Sequence, residues 1–320
     1  MSAHPAGQRH LGLDLGGTNI KWVVVSHDAD DWTALDRGQV RTPIAGTPDA
    51  VLPRLAELGA EVIGRWPGVL SLGIGVPGLY DARDGTTRFL PNLPGGWPGA
   101  PVAASVGGAL GLPCALVNDA RAFGLAELRL GAGRGAATIV GLTIGTGVGG
   151  VVAIDGRVHL GHDGTAGELG HQTIDPDGPW CTCGNRGCLE AFARADQIAA
   201  ACGTATVEAA VERARAGDER AIAGMREVGR YLGLGIGNLV SVLTPDRIVI
   251  GGGVAAAADL FVDRIREELR RRIHTTSLDE VEIVTAELGT WAGAIGAAIH
   301  GAESAQPASS VVVAATGDAR

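Results

Sequence analysis

Two stretches of this chain have the same build, and that repetition limits the folds open to it more than any other feature. LGLDLGGTNIKWVVV, residues 11–25, reads as an apolar strand, a Gly-Gly-Thr turn and a β-branched strand; GLTIGTGVGGVVAIDGRVHL, residues 141–160, reads the same way about 130 positions later. β-Branched residues favour pleated backbone, and the small residues between the runs suit a tight turn with positive φ. A spacing this long points to a duplicated domain and not to a short-period solenoid. The other segments alternate between strand and helix. SLGIGVPGLYD (71–81) is a strand ending in a Pro-Gly turn, PCALVNDA (113–120) a strand entering the helical pattern RAFGLAELRLG, and PDRIVIGGGV (245–254) a strand meeting three glycines. Apolar residues at three- and four-residue spacing predict helices over 48–65, 190–202, 204–216, 219–243 and 254–273, with a small-residue helix over 289–302. The tail ESAQPASSVVVAATGDAR is too poor in core-forming residues to fold alone and is expected to be disordered.

With 320 residues, 46% of them hydrophobic, the chain can bury the core of one large or two smaller domains. Its first nine residues, MSAHPAGQR, carry no export signal, and no run of ~18 uncharged apolar residues follows, so a cytoplasmic protein without membrane contact is expected. A net charge of −9 and a pI near 5.4 argue against a nucleic-acid partner, which needs a basic face. An anionic ligand must then be held by local devices, and backbone N–H groups in glycine turns are the available ones.

HQTIDPDGPWCTCGNRGCLE, residues 171–190, places three of the five cysteines within eight positions. In a reducing compartment a disulfide is disfavoured, which leaves a metal site or redox thiols. GTGVGG (145–150) satisfies the GxGxxG dinucleotide pattern but fails its context: that pattern needs a following helix, whereas VVAIDG is β-branched and ends in an Asp-Gly turn. A hairpin loop of this kind can wrap phosphate oxygens instead, and a second one at 16–18 allows a grip from two sides. On the residues alone Asp119 reads as a helix cap, Glu168 and Glu190 as ordinary acids, Lys21 as an edge-strand lysine, and Cys114 and Cys202 as inert core thiols.

DLGGTNIK, GIGVPG, VNDA, GTGVGG, AGELGH, CTCGNRGCLE and IVIGGGV occur in the order found in the ROK family, and over roughly residues 11–300 the chain resembles its sugar kinases, members of the actin/hexokinase-like superfamily. The resemblance implies an α/β fold of two RNase H-like lobes with a cleft between them and a zinc-bound loop. The N-terminal lobe would span 10–117, completed by a returning helix at 290–303; the second lobe would span 118–289, and 304–320 would be the tail. The implied activity is transfer of the γ-phosphoryl group of ATP, with Mg²⁺, to the 6-hydroxyl of a hexose, glucose first.

The resemblance also assigns residues. Asp119 would be the catalytic base, with Asn118, Glu168, His171, Glu190, Asn92 and Gly78 at the sugar. Asp14 would orient Mg²⁺; Gly16, Gly17, Thr18 and Lys21, opposite Gly145, Thr146 and Gly147, would hold the phosphates, and Gly251, Gly252 and Gly253 would admit adenine and ribose. His171, Cys181, Cys183 and Cys188 would bind a structural Zn²⁺. A homo-dimer or homo-tetramer is expected. AFARADQ after GCLE departs from the family's usual Ser-Gly pair at Arg194-Ala195, which leaves an N-acetylhexosamine, fructose or a cyclitol open as the acceptor; polyphosphate is a separate alternative as the donor, though IVIGGGV favours a nucleotide. A sugar-responsive repressor is the rival class, but the first phosphate loop starts at residue 14 and leaves no room for a preceding helix-turn-helix domain.

Overall fold

The computed structural model describes residues 7–29 and 31–305. The chain opens with β1 (Gln8–Leu15), β2 (Asn19–Asp28), β3 (Asp31–Arg41), α1 (Pro48–Arg65), β4 (Val69–Val76), β5 (Leu79–Asp81), β6 (Thr86–Phe89), α2 (Val102–Leu110), β7 (Cys114–Asn118) and α3 (Asp119–Leu130). It continues with β8 (Ile139–Ile144), β9 (Val148–Ile154), β10 (Arg157–Val158), α4 (Glu190–Ala193), α5 (Ala195–Cys202), α6 (Val207–Arg215), α7 (Glu219–Leu243), β11 (Arg247–Gly251), α8 (Val262–Arg272), β12 (Glu282–Thr285) and α9 (Ala292–Ala305). No helix among the described residues is long and apolar enough to cross a membrane.

The duplication is visible in the strand order. One sheet runs β3-β2-β1-β4-β7 and the other β10-β9-β8-β11-β12. In each, three strands form an antiparallel meander and two more join in parallel beside its first strand. The two repeated sequence segments are the matching hairpins β1-β2 and β8-β9. Apolar positions drive each layer together. On α1, Val51, Leu55, Leu58 and Val62 recur at helical spacing and face the first core, while Pro48 and Asp49 suit its first turn. On α7, capped by Asp218 accepting the Ala221 N–H at 3.0 Å, Val228, Leu232, Ile236 and Val240 pack with Ile248, Ile250 and Phe261 in the second core.

The two halves are laced by an exchange of helices. α3 follows the last strand of the first sheet yet packs on β8 and β9; α9 follows the last strand of the second yet lies across β1, β2, β4 and β7, and the two helices pack on each other. Glycine makes this crossing possible. A Cβ on Gly12 or Gly73, in mid-strand, would collide with the carbonyls of Ala294 or Ala297, and a Cβ on Gly296 with the carbonyl of Ala122. Backbone thus lies directly on backbone, which explains glycines at strand positions they otherwise weaken.

Several boundaries differ from expectation. The helix predicted over 190–202 breaks at Arg194, whose backbone is extended, and Ala195 N–H donates to Gly145 O at 2.8 Å. The one predicted over 254–273 is a 3-10 turn (Ala255–Leu260) and then α8, parted at the buried Phe261. α9 runs on to Ala305, so residues 304–305 are helical and not tail; residues 306–320 of the expected tail lie outside the described residues. The edge strand β3, the small-residue helix α2 and the short edge strand β12 were not predicted, because a polar edge and a run of alanines and glycines carry little periodic signal.

If the crossing is as tight as this geometry requires, Gly73→Val should destabilise the protein by ~3 kcal/mol or more, since neither backbone can move aside. Gly64→Ala, in α1 with open space around it, should be neutral or stabilising by up to ~1 kcal/mol. Denaturant melts of the two variants compare them; equal midpoints would mean that the crossing is loose.

Candidate active site

A cleft of about 430 Å³ opens where the two halves meet. Its walls come from the ends of β1 and β7, the glycines after β11 and the start of α9, so the strand order itself gathers distant residues. Asp14, Gly16, Gly17, Lys21, Asn92, Asp119, Gly251, Gly252 and Gly253 all line it, together with Phe123, Thr143, Thr290 and Gly293.

Asp14 and Asp119 set the electrostatics. Burial, and next the nearby Asp119 carboxylate, push Asp14 up to about 6, against the pull of Lys21, whose Nζ lies 4.0 Å from Asp14 Oδ2. Asp119 lines the cleft with part of its surface exposed, yet is densely surrounded by protein. That burial raises it, opposed by the Ala120 N–H bonded to its Oδ1 at 2.8 Å and by Arg121, while Glu168 raises it further. Gly293 is needed beside this pair, because a Cβ there would come 2.7 Å from Asp14 Oδ2.

The two hairpin turns offer fewer donors than their glycines suggest. Gly16 N–H is bonded to Asn19 O at 3.0 Å and Gly145 N–H to Gly147 O at 2.9 Å. The free faces are the N–H groups of Gly17, Thr18, Thr146 and Gly147 and the two threonine hydroxyls. Neither turn uses positive φ, contrary to the sequence reading; glycine is required for room. A Cβ on Gly147 would sit 2.6 Å from Glu190 Oε2, and one on Gly16 would sit 2.8 Å from Asn19 O. Thr42 braces the first turn by donating its hydroxyl to Gly16 O and its N–H to Thr18 O. In the third glycine group, Gly252 does adopt φ +84° under the Ile144 backbone, and Gly253 faces open space.

The expected sugar residues divide into exposed groups and bracing groups. Asn118 caps α3, its Oδ1 accepting from Ala120 N–H at 3.0 Å and Arg121 N–H at 3.3 Å, and its Nδ2 donates to Gly78 O at 3.1 Å. Gly78 therefore holds Asn118, while Pro77 forms the cleft wall. Glu190 is buried, with Oε2 accepting from Val148 N–H at 2.9 Å and Oε1 from Thr182 Oγ1 at 3.3 Å and the Cys181 thiol at 3.5 Å. It ties the second hairpin to the cysteine loop. Glu168 Oε2 and His171 Nε2 face each other at 3.9 Å.

The cysteine loop has the dimensions of a tetrahedral site. The donor atoms of His171, Cys181, Cys183 and Cys188 all lie within 4.8 Å of one another. Cys183 Sγ is 3.7 Å from Cys188 Sγ, far beyond a disulfide bond, and Cys181 Sγ is 3.6 Å from His171 Nδ1. Four ligands on one zinc ion require about 3.8 Å between sulfurs and about 3.6 Å from sulfur to nitrogen, so the residues fit that ion. Burial and the neighbouring sulfurs push Cys188 up to about 12, a cost that a bound cation would remove. The nitrogen turned to the sulfurs is Nδ1, which leaves Nε2 on the Glu168 side.

Ala195 and Asp196 line a hollow of about 380 Å³ with Gly145, Thr146 and Gly253. The last three are residues expected at the nucleotide. Sequence reasoning also missed Thr42, Gly293 and Arg121. Arg121 alone left a signal, since it shares helical spacing with the buried Leu125 and Leu128 and so puts a charge on the buried face of α3.

A family model described as the ROK family matches residues 10–302. The glucokinase of Thermotoga maritima is 34% identical over 307 residues, covering 90% of this chain and 95% of that protein. Among solved structures, a ROK hexokinase from Thermus thermophilus superposes with a TM-score of 0.82 at 36% identity, covering 93% of this chain and 99% of that one. A ROK family glucokinase from Streptomyces griseus, solved with glucose and AMPPNP, gives 0.75 at 32% identity over 92% and 99%. The two-sheet α/β architecture is that of these kinases, and the chain belongs to the ROK family.

The raised Asp14 has a consequence for stability. A folded pKa of about 6 lies above the ordinary 3.8, so the folded protein prefers the protonated form and loses stability as pH rises through about 6. In ligand-free protein, Asp14→Asn should therefore show a gain that is absent near pH 4, grows towards pH 6 and levels off above it, with a ceiling near ~3 kcal/mol. Denaturant titrations across that range test this, and a pH-independent difference would contradict it.

Proposed function

We infer that this protein is an ATP-dependent kinase that phosphorylates glucose. The observation that carries the reading is the match, nearly end to end, to glucokinases, joined to a cleft lined by Asp14, Asp119 and the first glycine turn, with Gly145 and Thr146 of the second turn on a hollow that shares Gly253 with it. Transfer goes to the 6-hydroxyl. Asp119 is the base: its raised pKa and its place at the cleft floor suit a group that accepts the hydroxyl proton late, when the γ-phosphoryl group is already parting from its leaving oxygen.

Phosphoryl transfer asks a protein mainly for position and compensating charge. The N–H groups of Gly17, Thr18, Thr146 and Gly147, which have no backbone partner, would hold the β- and γ-phosphates from two sides, with Lys21 adding a cation. Asp14 would hold Mg²⁺ through water, and that ion would neutralise the phosphate charge. The open face of Gly253 and the hollow beside Ala195 suit the ribose and base. The two lobes, 10–117 with α9 and 118–289, would close on the ligands and exclude water.

A zinc ion held by His171, Cys181, Cys183 and Cys188 is closed to substrate and would order the loop. With Cys181 committed as a thiolate, Glu190 Oε1 would lose one of its two donors and keep Thr182 Oγ1, leaving it room to accept from a sugar hydroxyl. A cytoplasmic setting, where thiols stay reduced, and a homo-dimer or homo-tetramer complete the reading.

Asp119→Asn should lower turnover at least a thousandfold while glucose and ATP still bind, because the amide keeps the shape and cannot take the proton. Retention of more than a tenth of wild-type turnover would remove Asp119 from this role. Purified protein should carry about one zinc per chain by atomic emission. Cys183→Ser should lose it and raise the glucose KM at least tenfold with the ATP KM little changed; a metal-free Cys183→Ser protein with full activity would separate the cysteine loop from sugar recognition.

A further inference from the structure

One buried charge in this molecule has no part in the mechanism above. Arg121, in the first turn of α3, has a side chain only 3% exposed, and a cation so enclosed is costly unless its donors are met. Four of the five N–H groups are met, from three directions. Nη1 donates to Asn118 Oδ1 at 2.7 Å, Nη2 to Glu168 Oε1 at 2.7 Å and to Thr165 O at 2.8 Å, and Nε to Ala166 O at 2.9 Å.

We propose that Arg121 is the positioning residue of the acceptor site, fixing Asn118 and Glu168 in single orientations so that the pocket discriminates between sugar epimers. The proposal rests on the kinase reading and names what sets that site's selectivity.

The consequence follows from counting donors and acceptors. Asn118 Oδ1 accepts from Ala120 N–H, Arg121 N–H and the guanidinium, so the amide cannot flip without stranding three donors. Its Nδ2 gives one hydrogen to Gly78 O, which leaves a single N–H for ligand. Asn118 therefore acts on a sugar as a donor only. Glu168 is half exposed, on a loop that the guanidinium ties down through two carbonyls, and with Oε1 held it offers Oε2 alone as an acceptor. Oε2 and His171 Nε2 stand 3.9 Å apart, too far to bond each other and close enough to share one hydroxyl. A fixed donor beside a fixed acceptor distinguishes hydroxyls by orientation, because an epimer leaves one of them unpaired.

Arginine is required for this by shape. A lysine ammonium keeps the charge but is a point donor, unable to span Asn118, Glu168 and two carbonyls together. Arg121→Lys should therefore raise the glucose KM ten- to a hundredfold, change kcat less than fivefold, leave the ATP KM unchanged, and reduce the preference for glucose over its 2- and 4-epimers at least fivefold. Combined with Glu168→Gln, the two effects should fall well short of additive, since Arg121 acts through that carboxylate.

Calorimetry with glucose gives the same comparison without turnover, so a wild type that binds glucose but transfers no phosphate would sink the kinase reading and leave this one standing. Should Arg121→Lys fail to fold, the wild type serves: its Arg121 Nε–H resonance should exchange slowly with water and shift on adding glucose but not on adding AMPPNP. Unchanged glucose affinity and epimer preference in folded Arg121→Lys would overturn the proposal, as would additive effects in the double variant or an Nε–H that ignores glucose.

Discussion

The crossing of α9 over β1 and β4 is the constraint on which the rest of the molecule depends. Hydrophobic burial alone would hold a helix on a sheet at side-chain distance, but here Gly12, Gly73 and Gly296 bring backbone against backbone. That closeness carries the start of α9 to the end of β1, where Gly293 lies over the Asp14 carboxylate. Because α3 makes the reciprocal crossing to β8 and β9, Asp119 at its head is presented to the same space. Two carboxylates that lie 105 positions apart in sequence thus share one cleft, and burial raises both, with Asp119 adding to the rise of Asp14 and Glu168 to that of Asp119.

Around this pair the structure uses carboxylates as ties. Glu127, fully buried, accepts from the N–H groups of Ala132, Glu287 and Leu288 and so fixes the loop that leads to the cleft wall at Ala286 and Gly289. Glu190 joins the second phosphate turn to the cysteine loop, and Arg121 joins the head of α3 to the loop carrying Glu168. Each tie crosses between elements that the fold brings together but does not by itself hold in register. A closed four-ligand metal site in the cysteine loop would complete the set.

Much of this was legible in the sequence because glycine and β-branched runs mark hairpins strongly. The duplicated segments at 11–25 and 141–160 became matching hairpins in matching sheets, and α1 and α7 fell on their predicted bounds. The polar β3 and the glycine-rich α2 were illegible, since neither offers a periodic apolar face. The break at Arg194 could not be read locally: it exists because Ala195 N–H turns to Gly145 O, 50 residues away in sequence. Asp14, Gly16, Gly17, Lys21, Asn92, Asp119, Gly251, Gly252 and Gly253 line the cleft, whereas Gly145 and Thr146 line a neighbouring hollow, and which of them face ligand was not readable. Gly78, Gly16 and Gly145 looked like contacts, and their polar groups are engaged within the protein.

The central claim is that this cleft moves the terminal phosphoryl group of a nucleotide to a sugar hydroxyl and shields it from water. Phosphorus NMR of the protein with glucose, ATP and Mg²⁺ tests it most directly, with proton-phosphorus correlation to locate the product ester. The account predicts that the γ-phosphate signal is replaced one for one by a phosphate monoester coupled to the protons on carbon 6, with no build-up of inorganic phosphate. Unchanged ATP, an ester on another carbon, or inorganic phosphate as the sole product would contradict it.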